Sequence, residues 1–118
     1  TGDTRDSPAI PLCHKLLSEH AQVRVHDPRA REETEPDLAS MEGDIAFVED
    51  PYEAAYRAHA VALVTQWQQY RDLEYGHILE NMMRPAYLFD GRNHLDHQYL
   101  FNLGYNVFPL GSAPLTHL

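Results

Sequence analysis

The sequence predicts an α/β domain built on a mainly parallel sheet. Short apolar or alternating runs fit for strands are separated, along the whole chain, by segments whose apolar residues recur at helical spacing. Most of these segments end in a residue that stops or turns the chain, such as Pro28, Asp90-Gly91 or Gly104. The 118 residues are the size of one small domain, and a hydrophobic content of 43% is ordinary for a globular fold. Residues 1–118 are therefore read as one domain.

In order, Pro8 to His20 reads as a helix. Ile10, Leu12, Cys13, Leu16 and Leu17 share its apolar face, Ser7 is a suitable N-cap, and Pro8 suits the first helical position. Pro11 lies close enough to the start to remove only about one ladder bond. Gln22 to Asp27 alternates with Val23 and Val25 on one side, a short strand stopped by Pro28. Arg29 to Asp44 has mixed, acid-weighted charge with Pro36 inside it, and reads as a surface excursion. Ile45 to Val48 is a brief strand. Asp50 and Glu53 then form a capping-box pattern that opens a helix over Pro51 to Arg57. Ala60 to Val64 is a continuous apolar run, which predicts a strand buried on both faces. Tyr75 to Met83 is helical through Ile78, Leu79, Met82 and Met83, with Pro85 closing it. Ala86 to Phe89 is a second buried strand, Asp96 to Leu103 a helix with Gly104 just beyond its end, and Asn106 to Leu110 the last strand.

Parallel strands joined by right-handed crossovers bind ligands beyond their carboxyl ends. That directs attention to Asp27, to Thr65 through Trp67 and to Asp90 through Asn93. No strand precedes the first helix, although a doubly wound sheet normally begins with its central strand. The sheet is therefore expected to lack its first strand, and to be completed by upstream residues, by a neighbouring chain or by rearrangement.

Composition narrows the function classes. Eighteen acidic against nine basic side chains give a formal net charge of −9, which argues against nucleic acid as a partner. A single anionic ligand remains possible, because a bound diphosphate responds to its nearest cations and distant charges are screened over about 8–10 Å. Eight histidines will make the charge much less negative as pH falls through about 6.5. No run approaches the roughly 18–20 apolar residues of a membrane span, no signal peptide is visible, and a cytoplasmic protein is expected. The one cysteine, Cys13, excludes an internal disulfide and is read as a small hydrophobe on its helix face.

Four groups of residues have side chains suited to chemistry. Arg92, in Phe89-Asp90-Gly91-Arg92-Asn93, stands where a strand ends and Gly91 lets the chain turn. Its guanidinium is suited to grip a phosphate, and equally to pair with Asp90 or Asp96. Arg5 precedes a helix N-terminus between Asp3 and Asp6. The residues alone favour charge neutralisation there over an anion site. His94 and His97 lie three apart, short of the ligand number that zinc needs, and are read as solvated residues at a helix start. Thr65-Gln66-Trp67 with Tyr70 is read as core before base-stacking platform. There is no phosphate-binding glycine loop, and no catalytic set assembles from these residues.

Thr1-Gly2-Asp3-Thr4-Arg5-Asp6-Ser7-Pro8, His26-Asp27-Pro28, Asp50-Pro51-Tyr52-Glu53-Ala54, Ala58-His59-Ala60-Val61, Thr65-Gln66-Trp67, Pro85 through Asn93 and Leu103-Gly104-Tyr105 occur in that order. Together they resemble the C-terminal UDP-binding domain of UDP-glucose 6-dehydrogenases, within the UDP-glucose/GDP-mannose dehydrogenase family. The resemblance covers Thr1 to about Gly111. It implies a Rossmann-like three-layer sandwich with a mainly parallel sheet, lacking its first strand. It also implies a parent enzyme that oxidises UDP-glucose to UDP-glucuronate with two NAD. The NAD-binding domain, the central helix and the catalytic cysteine would belong to segments outside this chain, and Cys13 does not match that cysteine. Arg92 resembles the arginine that contacts the UDP-sugar, and Arg5 the one that reaches NAD, which reverses the reading of Arg5 from the residues alone.

Two departures stand out. The family's F-x-x-K-x-x-T-x-D-x-R motif begins before Thr1, and Gln66 occupies a position commonly held by glutamate. Enzymes acting on GDP-mannose or UDP-N-acetylmannosamine share D-x-R-x-S-P, and a non-catalytic nucleotide-binding or assembly module is the alternative from another class. The resemblance further implies a homo-oligomer, and a fragment that is inactive alone.

Overall fold

The structure, a computed structural model, describes residues 21–26, 44–65 and 67–118. The chain divides into two compact units, Thr1–Ala54 and Ala55–Leu118. The predicted helix over Pro8 to His20, Arg5, Cys13, Asp27, Gln66 and most of the Arg29 to Asp44 excursion lie outside the described residues.

In the first unit, β1 (Gln22–Val25) and β2 (Asp44–Phe47) pair in parallel, from Gln22 opposite Asp44 to Val25 opposite Phe47. Val23 and Val25 are the more buried residues of β1, as its alternation predicts. The Val48 amide extends the ladder by donating to the Val25 carbonyl at 3.0 Å. The helix α1 spans Pro51–Ala55, two residues shorter than predicted. Asp50 Oδ1 caps it by accepting from the Tyr52 amide at 2.9 Å. Glu53 contributes its carbonyl, which accepts from Arg24 Nη1 at 2.8 Å.

The second unit holds the parallel sheet β3-β4-β5, comprising Ala60–Leu63, Tyr87–Asp90 and Asn106–Pro109. A 3₁₀ turn (Gln68–Arg71) and α2 (Tyr75–Glu80) connect β3 to β4, and α3 (His97–Leu103) connects β4 to β5. These are the long crossovers that parallel neighbours require. Parallel sheets bearing helices are the α/β, Rossmann-like architecture that the sequence predicts.

Among the described residues of this unit, the core lies against one face of the sheet. Leu63, Leu88 and Val107 are buried with Ile78 and Leu79 of α2, Leu100 of α3, and Tyr75 and Tyr105. The expectation that β3 and β4 are covered on both faces is therefore corrected. Ala60, Ala62 and Phe89 are exposed, and Phe89 stacks on Phe108 at 4.9 Å. A run of consecutive apolar residues fits a strand buried on two sides, but the small alanines of β3 are exposed.

Local signals at the helix ends are mostly realised. Asp96 caps α3 by accepting from the Tyr99 amide at 3.2 Å, and Gly104 ends it with φ 127°. A Cβ at Gly104 would lie 3.2 Å from Leu79 Cδ2, in a backbone region that side chains avoid. Gly104→Ala is thus expected to lower stability by about 1–2 kcal/mol, read as a lower urea midpoint with an unchanged slope. α2 ends at Glu80, before the predicted Met83, because Asn81 turns back. Its side-chain amide donates to the His77 carbonyl at 3.1 Å, and Met83 N pairs with Ala58 O at 2.9 Å.

Two further contacts hold the frame. Fully buried Tyr105 donates its hydroxyl to the Tyr75 carbonyl at 2.6 Å, and the Tyr75 hydroxyl in turn donates to the Tyr70 carbonyl. Burial, aided by Tyr75 nearby, pushes the Tyr105 hydroxyl well above its ordinary range, so it stays a neutral donor. Tyr105→Phe should cost about 1–2 kcal/mol, measurable by urea unfolding. At the other side of β5 the chain returns antiparallel, with Val107 and Leu115 exchanging bonds of 2.8 and 2.9 Å. His117 closes this return by stacking on Phe101 at 4.1 Å and donating Nε2–H to the Phe101 carbonyl at 2.8 Å. The return covers the outer edge of β5, which the strand pattern alone did not reveal.

Candidate functional site

The carboxyl ends of β3, β4 and β5 lie side by side, because Leu63, Asp90 and Pro109 are in register. The segments that follow them, including Trp67, residues 91–95 and Leu110, therefore gather along one edge of the sheet. This is the edge that the strand-end rule singles out.

Asp90, the last residue of β4, is completely buried. Its Oδ1 accepts from the Arg92 amide at 3.1 Å. Its Oδ2 accepts from the His94 amide at 2.7 Å, the Leu95 amide at 2.9 Å and His97 Nε2 at 2.8 Å. Burial by itself would raise the carboxyl pKa. The hydrogen bonds, led by His97 and then the Leu95, His94 and Arg92 amides, outweigh it and hold the group below its ordinary 3.8. Asp90 is thus an ionised clasp across the loop that follows its own strand.

The two histidines are not the solvated helix-start residues that their spacing suggested. The His97 side chain is 21% exposed and is committed to Asp90. His94 is half-buried, and its Nε2–H donates to the Trp67 carbonyl at 3.0 Å, tying the loops after β3 and β4 together. Tyr70 is buried, as a core reading requires, and Trp67 is half-buried. Among the described residues no cluster of three or more His, Cys, Asp or Glu side chains is arranged to hold a metal ion.

Gly91 serves the loop differently from the predicted sharp turn. Its φ is not positive, but a Cβ there would lie 3.1 Å from the Leu63 carbonyl, which the Gly91 amide bonds at 2.9 Å. Close approach of two strands' ends is what favours a glycine here. The left-handed residue is Asn93, with φ 50°. Its side-chain amide pairs with Leu110 in both directions: Nδ2 donates to the carbonyl at 2.7 Å, and Oδ1 accepts from the amide at 3.0 Å. In the sequence Asn93 stands out only as part of a motif. Its tolerance of left-handed backbone was the available signal.

Arg92 lies between these two anchors and is exposed. Asp90 accepts from its backbone amide, so the Asp90 contact of the simple alternative includes the main chain. The result is a cationic side chain on a short loop whose backbone is pinned at both sides. Such a group is suited to an anionic ligand approaching the sheet edge. No helix among the described residues is long and apolar enough to cross a membrane.

A parallel α/β unit with a polar, arginine-bearing loop at its strand ends is a Rossmann-like fold of the kind that takes ligands along that edge. Comparison with known sequences sharpens this. The pattern of the UDP-glucose/GDP-mannose dehydrogenase family, UDP binding domain, matches residues 1–97. UDP-glucose 6-dehydrogenase 4 of Oryza sativa subsp. japonica is 37% identical over 94% of this chain. The UDP-glucose 6-dehydrogenases of Caenorhabditis elegans and Drosophila melanogaster are 40% and 36% identical over 97% and 94% of it. The chain spans about a quarter of the length of these relatives, 25–27%. The chain belongs to the UDP-binding domain of the UDP-glucose/GDP-mannose dehydrogenase family.

Proposed function

We propose that this chain is the UDP-sugar-holding domain of a UDP-glucose 6-dehydrogenase, with Arg92 gripping the diphosphate. The observation behind this is the exposed Arg92 on a loop pinned at the carboxyl edge of a parallel sheet, in a chain of this family. A guanidinium there offers two parallel N–H donors to phosphate oxygens. The whole protein would oxidise UDP-glucose to UDP-glucuronate with two NAD, and Arg5 would reach the NAD. The dinucleotide-binding domain and catalytic cysteine would lie in further segments of the protein, which would work as a cytoplasmic homo-oligomer. This chain by itself would be inactive, because catalysis needs hydride acceptor and nucleophile held beside the substrate.

Calorimetric titration with UDP-glucose, UDP, GDP-mannose and NAD tests the reading. Binding of UDP-glucose and UDP that is lost in Arg92→Ala is expected. A preference for GDP-mannose would move the assignment to the other substrate of the family's name. Retention of full UDP affinity in Arg92→Ala would remove Arg92 from the site.

A further inference from the structure

We infer that Asn93 and the Asp90–His97 pair are positioning residues for Arg92, two clasps that hold its loop in a binding-ready shape before any ligand arrives. The inference rests on the reading of Arg92 as the diphosphate contact.

Consider what the loop would be without them. Residues 91–95 leave β4 and enter α3, and Arg92 carries a long side chain near their middle. Binding a phosphate would then require ordering both the loop and the side chain, which opposes association. In the structure the backbone part of that cost is already met. On the inner side, one carboxylate gathers the Arg92, His94 and Leu95 amides, and His97 from α3 holds the carboxylate. On the outer side, the Asn93 amide reads the main chain of Leu110 as a neighbouring strand would, with one donor and one acceptor. The left-handed backbone of Asn93 accompanies this arrangement, at φ 50°.

The two clasps fasten the loop to different elements. Asp90 and His97 tie it to β4 and α3, whereas Asn93 ties it to the residue after β5. Arg92 lies between them in sequence, so its backbone can shift only if one clasp opens. Asn93→Gly is the informative substitution, because glycine accepts the left-handed backbone and removes only the side-chain clasp. His97→Gln offers an amide N–H that can still donate to Asp90, whereas His97→Ala cannot.

The test is UDP titration of the full 118-residue chain and its variants, with amide hydrogen exchange on the unliganded protein. Asn93→Gly and His97→Ala are each expected to weaken UDP roughly three- to tenfold, with faster exchange at the His94 and Leu95 amides. His97→Gln should recover part of the affinity. Tyr105→Phe, which loosens the fold away from this loop, should bind UDP like the parent. On an Arg92→Ala background, measured by NMR shifts at high UDP concentration, Asn93→Gly should cost nothing more.

Parent-like affinity and exchange in Asn93→Gly and His97→Ala would overturn the inference while leaving Arg92 in the site. So would an equal loss with Arg92 already removed, or a Tyr105→Phe variant that weakens UDP as much as they do. If Arg92→Ala itself binds UDP like the parent, the underlying reading of the site fails, and the inference falls with it.

Discussion

Replacing Asp90 with alanine is expected to destabilise the second unit by about 3 kcal/mol. The reason is the number of partners it would leave. Three backbone amides and His97 Nε2 point at a fully buried carboxylate, and alanine would strand all four. Asp90→Asn keeps the volume but replaces one acceptor oxygen with a donor. Whichever way the amide turns, its NH₂ must face either the Arg92 amide or the cluster of three donors. Its cost should therefore be smaller but still clear, about 1–2 kcal/mol.

The same substitution gives a pH signature. The Asp90 carboxyl has a folded pKa below its ordinary 3.8, so its ionised form favours the folded state. That contribution is fully present above the unfolded value and is lost as pH falls through the folded one. The gap in melting temperature between parent and Asp90→Asn should therefore stay constant from neutral pH to about 5, and narrow below about 4. A gap that widened on acidification would show that the carboxylate is not held ionised by its donors.

The second large effect concerns binding. Removing a charge-assisted, two-pronged contact should cost about 1.5–3 kcal/mol, so Arg92→Ala is expected to weaken UDP roughly 10- to 100-fold. Arg92→Lys separates charge from geometry. Lysine keeps the positive charge but acts as a point, without the planar fork that matches two phosphate oxygens. It should recover only part of the loss, and its residual binding should fall more steeply with salt than that of Arg92→Ala. Full recovery with lysine would mean that the site reads charge alone.

Part of this site was legible in the chain. Gly91 and Arg92 were placed after a strand by the apolar run from Ala86 to Phe89 and the stop that follows it. The helix His97–Leu103 was expected from Asp96 to Leu103 with Gly104 just beyond its end, whose capping chemistry is local. The parallel arrangement followed from strands alternating with helices, and β3, β4 and β5 fall within a residue of their predicted bounds. Local propensity and periodicity are properties of neighbours along the chain, which is why they survive without coordinates.

The roles of the polar residues were decided elsewhere. Asp90 and His97 are seven residues apart and meet only because α3 begins over the end of β4. His94 meets Trp67 across 27 residues, and Asn93 meets Leu110 across 17. No local pattern distinguishes a surface aspartate from one buried beneath its own loop. A strand's burial is likewise set by what packs on it, so the outward face of Ala62 and Phe89 escaped a reading that saw only continuous apolar runs. Among the described residues, the sequence by itself determined the order and kind of the strands and α-helices and placed Arg92 at a strand end. The tertiary structure alone decided which polar groups are buried and paired, because desolvation and hydrogen-bond geometry depend on distances in space rather than along the chain.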